Sequence, residues 1–97
     1  MVRFQFRRKP PVRIKFYTSK HCGSCALARR ILQRVKEDLK NRVVIEEVDV
    51  NKEDDRMERE GIFAVPTVDI EGVRLVGMDE IRQGRITQIV YRFLKGE

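Results

Sequence analysis

Residues 12–40 read VRIKFYTSKHCGSCALARRILQRVKEDLK, and the hydrophobic period changes from two to about four inside this stretch. Up to Tyr17 the period is two. Val12, Ile14 and Phe16 alternate with Arg13, Lys15 and Tyr17, bounded by Pro10-Pro11 before and Thr18-Ser19 after, which is the pattern of a β-strand. From Gly23 to Lys40 the period is helical. Leu27, Ile31, Val35 and Leu39 recur every four positions, Ala28 and Leu32 widen the stripe, and Asn41 suits the exit. Two cysteines, Cys22 and Cys25, fall where the strand gives way to the helix.

Residues 43–50, VVIEEVDV, are rich in Val and read as a second strand. A right-handed crossover through the helix makes the two strands parallel neighbours. Asn51 is placed to cap a short charged helix ending near Gly61. Thr67–Ile70 and Val73–Val76 flank the turn-forming pair Glu71-Gly72, which predicts an antiparallel hairpin. Asp79 suits the cap of a last helix, led by Ile81 and continued by Ile86, Ile89, Val90 and Phe93, with Gly84 breaking or bending its first turn. The order β-α-β-α-β-β-α describes an α/β fold with a four-stranded mixed sheet and helices on both faces. Upstream, Val2, Phe4 and Phe6 at period two make residues 1–11 an added edge strand or a loose arm, set off by the two prolines.

A chain of 97 residues has room for one core, so residues 1–97 are expected to form a single domain with a single site. The net charge of +6 is unevenly spread: residues 1–36 hold eleven Lys/Arg and no acid, while residues 37–97 hold ten Lys/Arg and fifteen acids. Only Phe4, Phe6, Phe16 and Tyr17 accompany the basic half, and some of these must fill the core. The basic half therefore reads as a solvated face that raises the local potential, and nucleic acid is not an expected partner. Residues 1–17 mix basic and apolar side chains without an uninterrupted hydrophobic run, so neither a signal-peptide core nor a membrane span is expected. The expected location is cytoplasmic, where thiols are kept reduced, and a close cysteine pair there points to catalysis or metal binding rather than a structural staple.

The segment His21-Cys22-Gly23-Ser24-Cys25 carries the chemistry. A thiolate at a helix N-terminus is stabilised by unpaired backbone N–H groups and the positive end of the helix dipole, which lowers its pKa to roughly 6–7.5 and supplies a nucleophile near neutral pH. Cys22 is the better placed for that role, with Lys20 and protonated His21 favouring its thiolate. Cys25, one turn later, can attack a mixed disulfide formed at Cys22 and release the reduced substrate. A closed zinc site needs four ligands, and Cys22, Cys25 and the adjacent His21 have no second cluster to complete them. Neither a metal nor a cofactor is expected within one chain.

From Val12 onward the sequence resembles the thioredoxin superfamily. CGSC follows the first strand, Val65-Pro66-Thr67 precedes the hairpin about forty residues later, and Gly77 follows it. The resemblance implies a thioredoxin-like fold, a cis bond before Pro66, packing of Pro66 beside the cysteines, and docking of substrate on the backbone of Val65. It also implies reduction of protein disulfides with electrons supplied by a thiol reductase or by glutathione; a monomer is expected. Tyr17-Thr18 and Gly77-Met78-Asp79-Glu80 resemble glutaredoxin segments that hold glutathione, which makes a glutathione-dependent enzyme the alternative, beside a non-catalytic binding module of the same fold. Three positions depart from the thioredoxin pattern: His21 stands for Trp, Ser24 for Pro, and Phe16 for a buried acid. The last leaves Cys25 without a carboxylate placed by sequence to act as its base, so water or a thiolate–thiol hydrogen bond must serve.

Overall fold

The computed structural model describes residues 10–96. Within it β1 (Val12–Thr18) is followed by α1 (Cys25–Leu39), a 3-10 turn (Lys40–Arg42), β2 (Val43–Asp49), α2 (Asp54–Glu60), β3 (Thr67–Ile70), β4 (Val73–Val76) and α3 (Gln83–Leu94). The strands form one mixed sheet in the order β2-β1-β3-β4. As the crossover argument requires, β1 and β2 run parallel, with Val12 beside Val43 and Phe16 beside Glu47. β3 is antiparallel to β1, and β3 and β4 form the expected hairpin, whose turn residues Glu71 and Gly72 both have positive φ (49° and 97°). That pair of left-handed residues matches the right-handed twist of the flanking strands. The residues 2–6 read as an added strand lie outside the described residues, and Pro10 and Pro11 are in no regular element.

Alternation along the strands splits the core in two. Val12, Ile14 and Phe16 of β1, Val43 of β2, Val68 and Ile70 of β3 and Leu75 of β4 face α1 and α3, where Ala28, Leu32, Val35, Ile86 and Val90 complete the larger cluster. Tyr17, Val48, Val50 and Ile62 make a smaller one on the other face, with Met57 of α2 against it. Tyr17 is thus as deeply buried as Phe16. The sequence sets it among the polar partners of the strand, but a sheet covered on both faces buries both sides of its central strand.

Three boundaries differ from the sequence reading. The helix predicted from Gly23 begins at Cys25 with Ser24 as its N-cap, and its buried stripe is Cys25, Ala28, Leu32, Val35 and Leu39. A strict four-residue repeat drifts off a 3.6-residue helix face, which leaves Leu27 at 49% exposure. Asn51 does not cap α2: its N–H donates to Asp49 Oδ1 (2.9 Å), and Glu53 is the N-cap. Asp79 does not cap α3 either. Glu80 and Ile81 N–H close a separate turn onto the Gly77 carbonyl (3.2 and 3.0 Å), and the helix starts after Arg82, running through Gly84 without a break. Glycine keeps its backbone N–H and costs a helix only about 0.5–1 kcal/mol relative to alanine through its conformational freedom, so Gly84 weakens the first turn without breaking it.

Candidate active site

Segments far apart in the chain meet at one end of the sheet. β1 ends there at Thr18, and beside it β2 ends at Asp49, after which Val50 N–H donates to the Thr18 carbonyl (2.9 Å). β3 begins at that end, since Thr67 stands opposite Tyr17, and β4 finishes there, since Val76 stands opposite Thr67. The loop after β1 carries Cys22, the residues before β3 are Val65-Pro66, and the residue after β4 is Gly77. The topology thereby gathers the motif residues named from sequence at the head of α1.

Cys22 and Cys25 are joined as a disulfide, with an S–S distance of 2.06 Å and Cα atoms 5.4 Å apart. Their surroundings differ. Cys22 is half-buried in the loop, its N–H donating to the Ser19 carbonyl (3.3 Å), whereas Cys25 is 3% exposed and belongs to the larger core with Phe16. Because α1 starts at Cys25, Cys22 stands two residues ahead of the cap rather than at it. Ser24 makes no side-chain capping bond and the first turn of α1 holds no acid, so the positive end of the helix acts on the sulfurs without competition from a carboxylate in that turn.

The Val65–Pro66 bond is cis, as the resemblance implies. Pro66 is buried, and its carbonyl accepts from Gly77 N–H (3.0 Å), while Thr67 Oγ1 donates to the Ala64 carbonyl (2.6 Å). These bonds fix the loop against the end of β4. Val65 is half-buried and touches both core clusters. Gly77 has φ of +80°, a conformation that costs other residues, and this gives its place in the sequence a physical reason. Lys20 and His21 are exposed ahead of Cys22, with His21 N–H on Ser19 Oγ (3.3 Å).

The strand register reveals what the sequence reading missed. Glu47 lies beside Phe16, on the sheet face whose core cluster includes Cys25, so a carboxylate stands on that face of the sheet. It is held by Arg29 through two hydrogen bonds, Nε to Oε1 (3.0 Å) and Nη2 to Oε2 (2.7 Å), and the Arg29 Cζ lies 5.6 Å from the centre of the Phe16 ring. The pairing raises the Arg29 pKa above its ordinary value, chiefly through the hydrogen bonds to Glu47. Counting the alternation of VVIEEVDV in parallel register with VRIKFYT would have found it. Phe63, three residues ahead of Pro66 and 90% exposed, is likewise not singled out by any pattern in the sequence.

The thioredoxin family profile matches residues 5–85. A thioredoxin of Methanocaldococcus jannaschii is 33% identical over 67 residues, which are 68% of this chain and 79% of the relative. A probable thioredoxin of Methanothermobacter thermautotrophicus is 30% identical over 67 residues, with the same shares of the two chains. Among solved structures, chloroplastic thioredoxin z superposes with a TM-score of 0.79 at 25% identity, over 92% of this chain and 82% of that one. A paired CxxC at a strand-to-helix junction, under a family match of this extent, is the signature of thiol–disulfide exchange. The chain is a thiol–disulfide oxidoreductase and belongs to the thioredoxin family.

Proposed function

We propose that the protein reduces disulfides of other proteins by dithiol exchange, with Cys22 as nucleophile and Cys25 as resolving thiol. The observation that carries this reading is the unequal exposure of the pair: Cys22 reaches solvent, while Cys25 at 3% exposure meets only what Cys22 has captured. In the reduced protein the Cys22 thiolate attacks one sulfur of the substrate disulfide, forming a mixed disulfide and expelling the other substrate sulfur as a thiolate. Cys25 then loses its proton and attacks the Cys22 sulfur. The second substrate thiolate leaves and takes up a proton from water, and Cys22 and Cys25 are left oxidised as a pair. Val65 offers backbone to the bound polypeptide, Pro66 shapes the floor beside the sulfurs, and Lys20, His21 and Gly77 shape the rim.

The thioredoxin match over residues 5–85 favours a protein reductase rather than glutathione as electron donor. In this reading the chain works as a monomer in the cytoplasm. Among the described residues no helix is long and apolar enough to cross a membrane. The test is insulin reduction with the full chain supplied either with a thioredoxin reductase and its nicotinamide cofactor or with glutathione alone. Turnover with the reductase is expected. Turnover confined to glutathione would reassign the donor, and no reduction of insulin under any donor, dithiothreitol included, would remove the reductase reading.

A further inference from the structure

Cys25 must lose a proton inside the core before it can act, and burial in apolar surroundings opposes the charged form of a thiol. The charge available to offset this is visible in the sheet register. On the strand face toward α1, the positions around Phe16 are apolar, and among the described residues the strand carboxylates on that face are Glu47 and Asp49. Asp49 turns its Oδ1 to Asn51 N–H at the strand end. Glu47 instead holds Arg29, which follows Cys25 by one helical turn on the same side of α1. Helix side chains lean toward the N-terminus, so the Arg29 side chain lies over the turn that begins with Cys25, stacked on the Phe16 ring that packs with it.

The other charged groups on neighbouring elements are engaged elsewhere or face solvent. Glu80 Oε1 accepts from Val76 N–H, and the α3 residue Gln83 bonds Asp38 at the far end of α1. Arg85 and Arg92 of α3, Asp79 after β4, and Lys20 and His21 in the Cys22 loop are exposed. Lys15, Glu46, Arg56, Glu60, Asp69 and Arg74 form ion pairs on the opposite face of the sheet.

We propose that Arg29 is a positioning residue for the second step of exchange: held over Phe16 by Glu47, its guanidinium stabilises the Cys25 thiolate as it forms, and Glu47 tempers that effect. The proposal rests on the dithiol reading of Cys22 and Cys25. In this step the Cys25 proton goes to solvent, the new S–S bond forms to Cys22, and the bond between Cys22 and the substrate sulfur breaks. Both side chains are close to half exposed, 42% and 43%, so the coupling is moderate and their substitution is tolerable to the fold.

Stopped-flow reaction of the fully reduced chain with excess 5,5′-dithiobis(2-nitrobenzoate) separates the steps, since attack by Cys22 releases one thionitrobenzoate and attack by Cys25 releases a second. Arg29→Gln is expected to slow the second phase about threefold at neutral pH and to move its pH midpoint upward by about one unit, because thiolate nucleophilicity offsets roughly half of the lost ionisation. The deficit disappears at a pH where the thiol is fully ionised in both proteins. Glu47→Gln is expected to act in the opposite sense, speeding the second phase about two- to threefold, since it frees the guanidinium charge. Arg29→Lys, which keeps the charge without the fork, is expected to lie between wild type and Arg29→Gln. The opposite signs are decisive: a merely structural ion pair would show the same sign in both variants, and that result, or a second phase indifferent to both, overturns the proposal. A wild-type protein that gives no second phase at all would instead strike at the dithiol reading.

Discussion

The Tyr17 hydroxyl, buried on the α2 face of the sheet, donates to Glu60 Oε1 at the end of α2, 43 residues further along the chain. Glu60 is also bound by Arg56 (3.1 Å) and lies 3.5 Å from Lys15, and Arg56 grips both oxygens of Glu46. The network ties the short helix α2 to β1 and β2, adding to the packing of Met57 in a helix with no fully buried residue of its own. The Tyr17 bond first, then Arg56 and Lys15, hold the Glu60 carboxyl below the usual range against the opposing effect of burial, and Arg56 does the same for Glu46. Burial, followed by Glu60, pushes the Tyr17 hydroxyl well above its ordinary value.

These shifts fix the pH dependence of stability. A carboxyl whose folded pKa is depressed stabilises the fold above its unfolded pKa of about 4.3, and that contribution drains away as pH falls through the lower folded value. Tyr17→Phe is therefore expected to cost about 1–2 kcal/mol at neutral pH, with the deficit shrinking below about pH 4 as Glu60 protonates in both proteins. Tyr17, being raised, contributes in the opposite window: its stabilisation is complete below its unfolded pKa of about 10 and drains away as pH rises through the higher folded value. Urea unfolding of both proteins across pH 3 to 8 measures the acid limb, and a deficit that stays constant with pH would refute the linkage.

Glycine positions separate backbone need from spatial need. Gly77 has φ of +80° and open space where a Cβ would stand, so Gly77→Ala should destabilise by about 1–2 kcal/mol through backbone strain alone. Gly84 lies in α3 with a helical backbone, and a Cβ added there would meet nothing within 4 Å, so Gly84→Ala should stabilise by about 0.5–1 kcal/mol. Chemical denaturation midpoints of the two variants should move in opposite directions.

The strands and long helices are readable from sequence because their periods are local facts, as with Val12-Ile14-Phe16 or the Ile86-Ile89-Val90 stripe. The cysteine pair is equally readable, since spacing and junction are both in the sequence. The burial of Tyr17 is not, because it depends on α2 covering the second face of the sheet. Nor are the caps: Asn51 and Asp79 have the right side chains, but Asn51 is taken into a turn with Asp49 and Asp79 lies in the turn closed on the Gly77 carbonyl. The place of Glu47 beside Phe16 shows once VRIKFYT is laid in parallel register with VVIEEVD, but its bond to Arg29, 18 residues away on α1, depends on how the helix packs on the sheet.

Unequal exposure of the cysteines predicts an unequal chemistry once they are reduced. Iodoacetamide at about pH 6.5 should modify Cys22 well before Cys25, since Cys22 is partly exposed ahead of the positive end of α1 while Cys25 is buried in the core. Cys25→Ser should accumulate a mixed disulfide with protein substrates, and Cys22→Ser should trap little. Peptide mapping of the alkylated protein reads the order directly, and faster labelling of Cys25 would reverse the assigned roles.

The direction of electron flow follows from which form of the pair the site favours. Whatever stabilises the reduced thiolate raises the potential: here the uncapped head of α1, with no acid in its first turn, and the exposed Lys20 and His21 beside Cys22. The Gly-Ser insert, without the proline of strongly reducing relatives, pushes the same way. Against this, Phe16 buried beneath Cys25 offers a thiolate no hydrogen bond, which limits how far the reduced form is favoured. The balance places the couple on the order of −200 to −270 mV, between the poise of glutaredoxins and that of thioredoxin, where accessible protein disulfides are still reducible. Equilibration of the full chain against a graded series of reduced and oxidised glutathione, followed by acid quench and alkylation, gives the value. A potential near about −120 mV would mark a disulfide donor instead and would contradict the proposed direction of exchange.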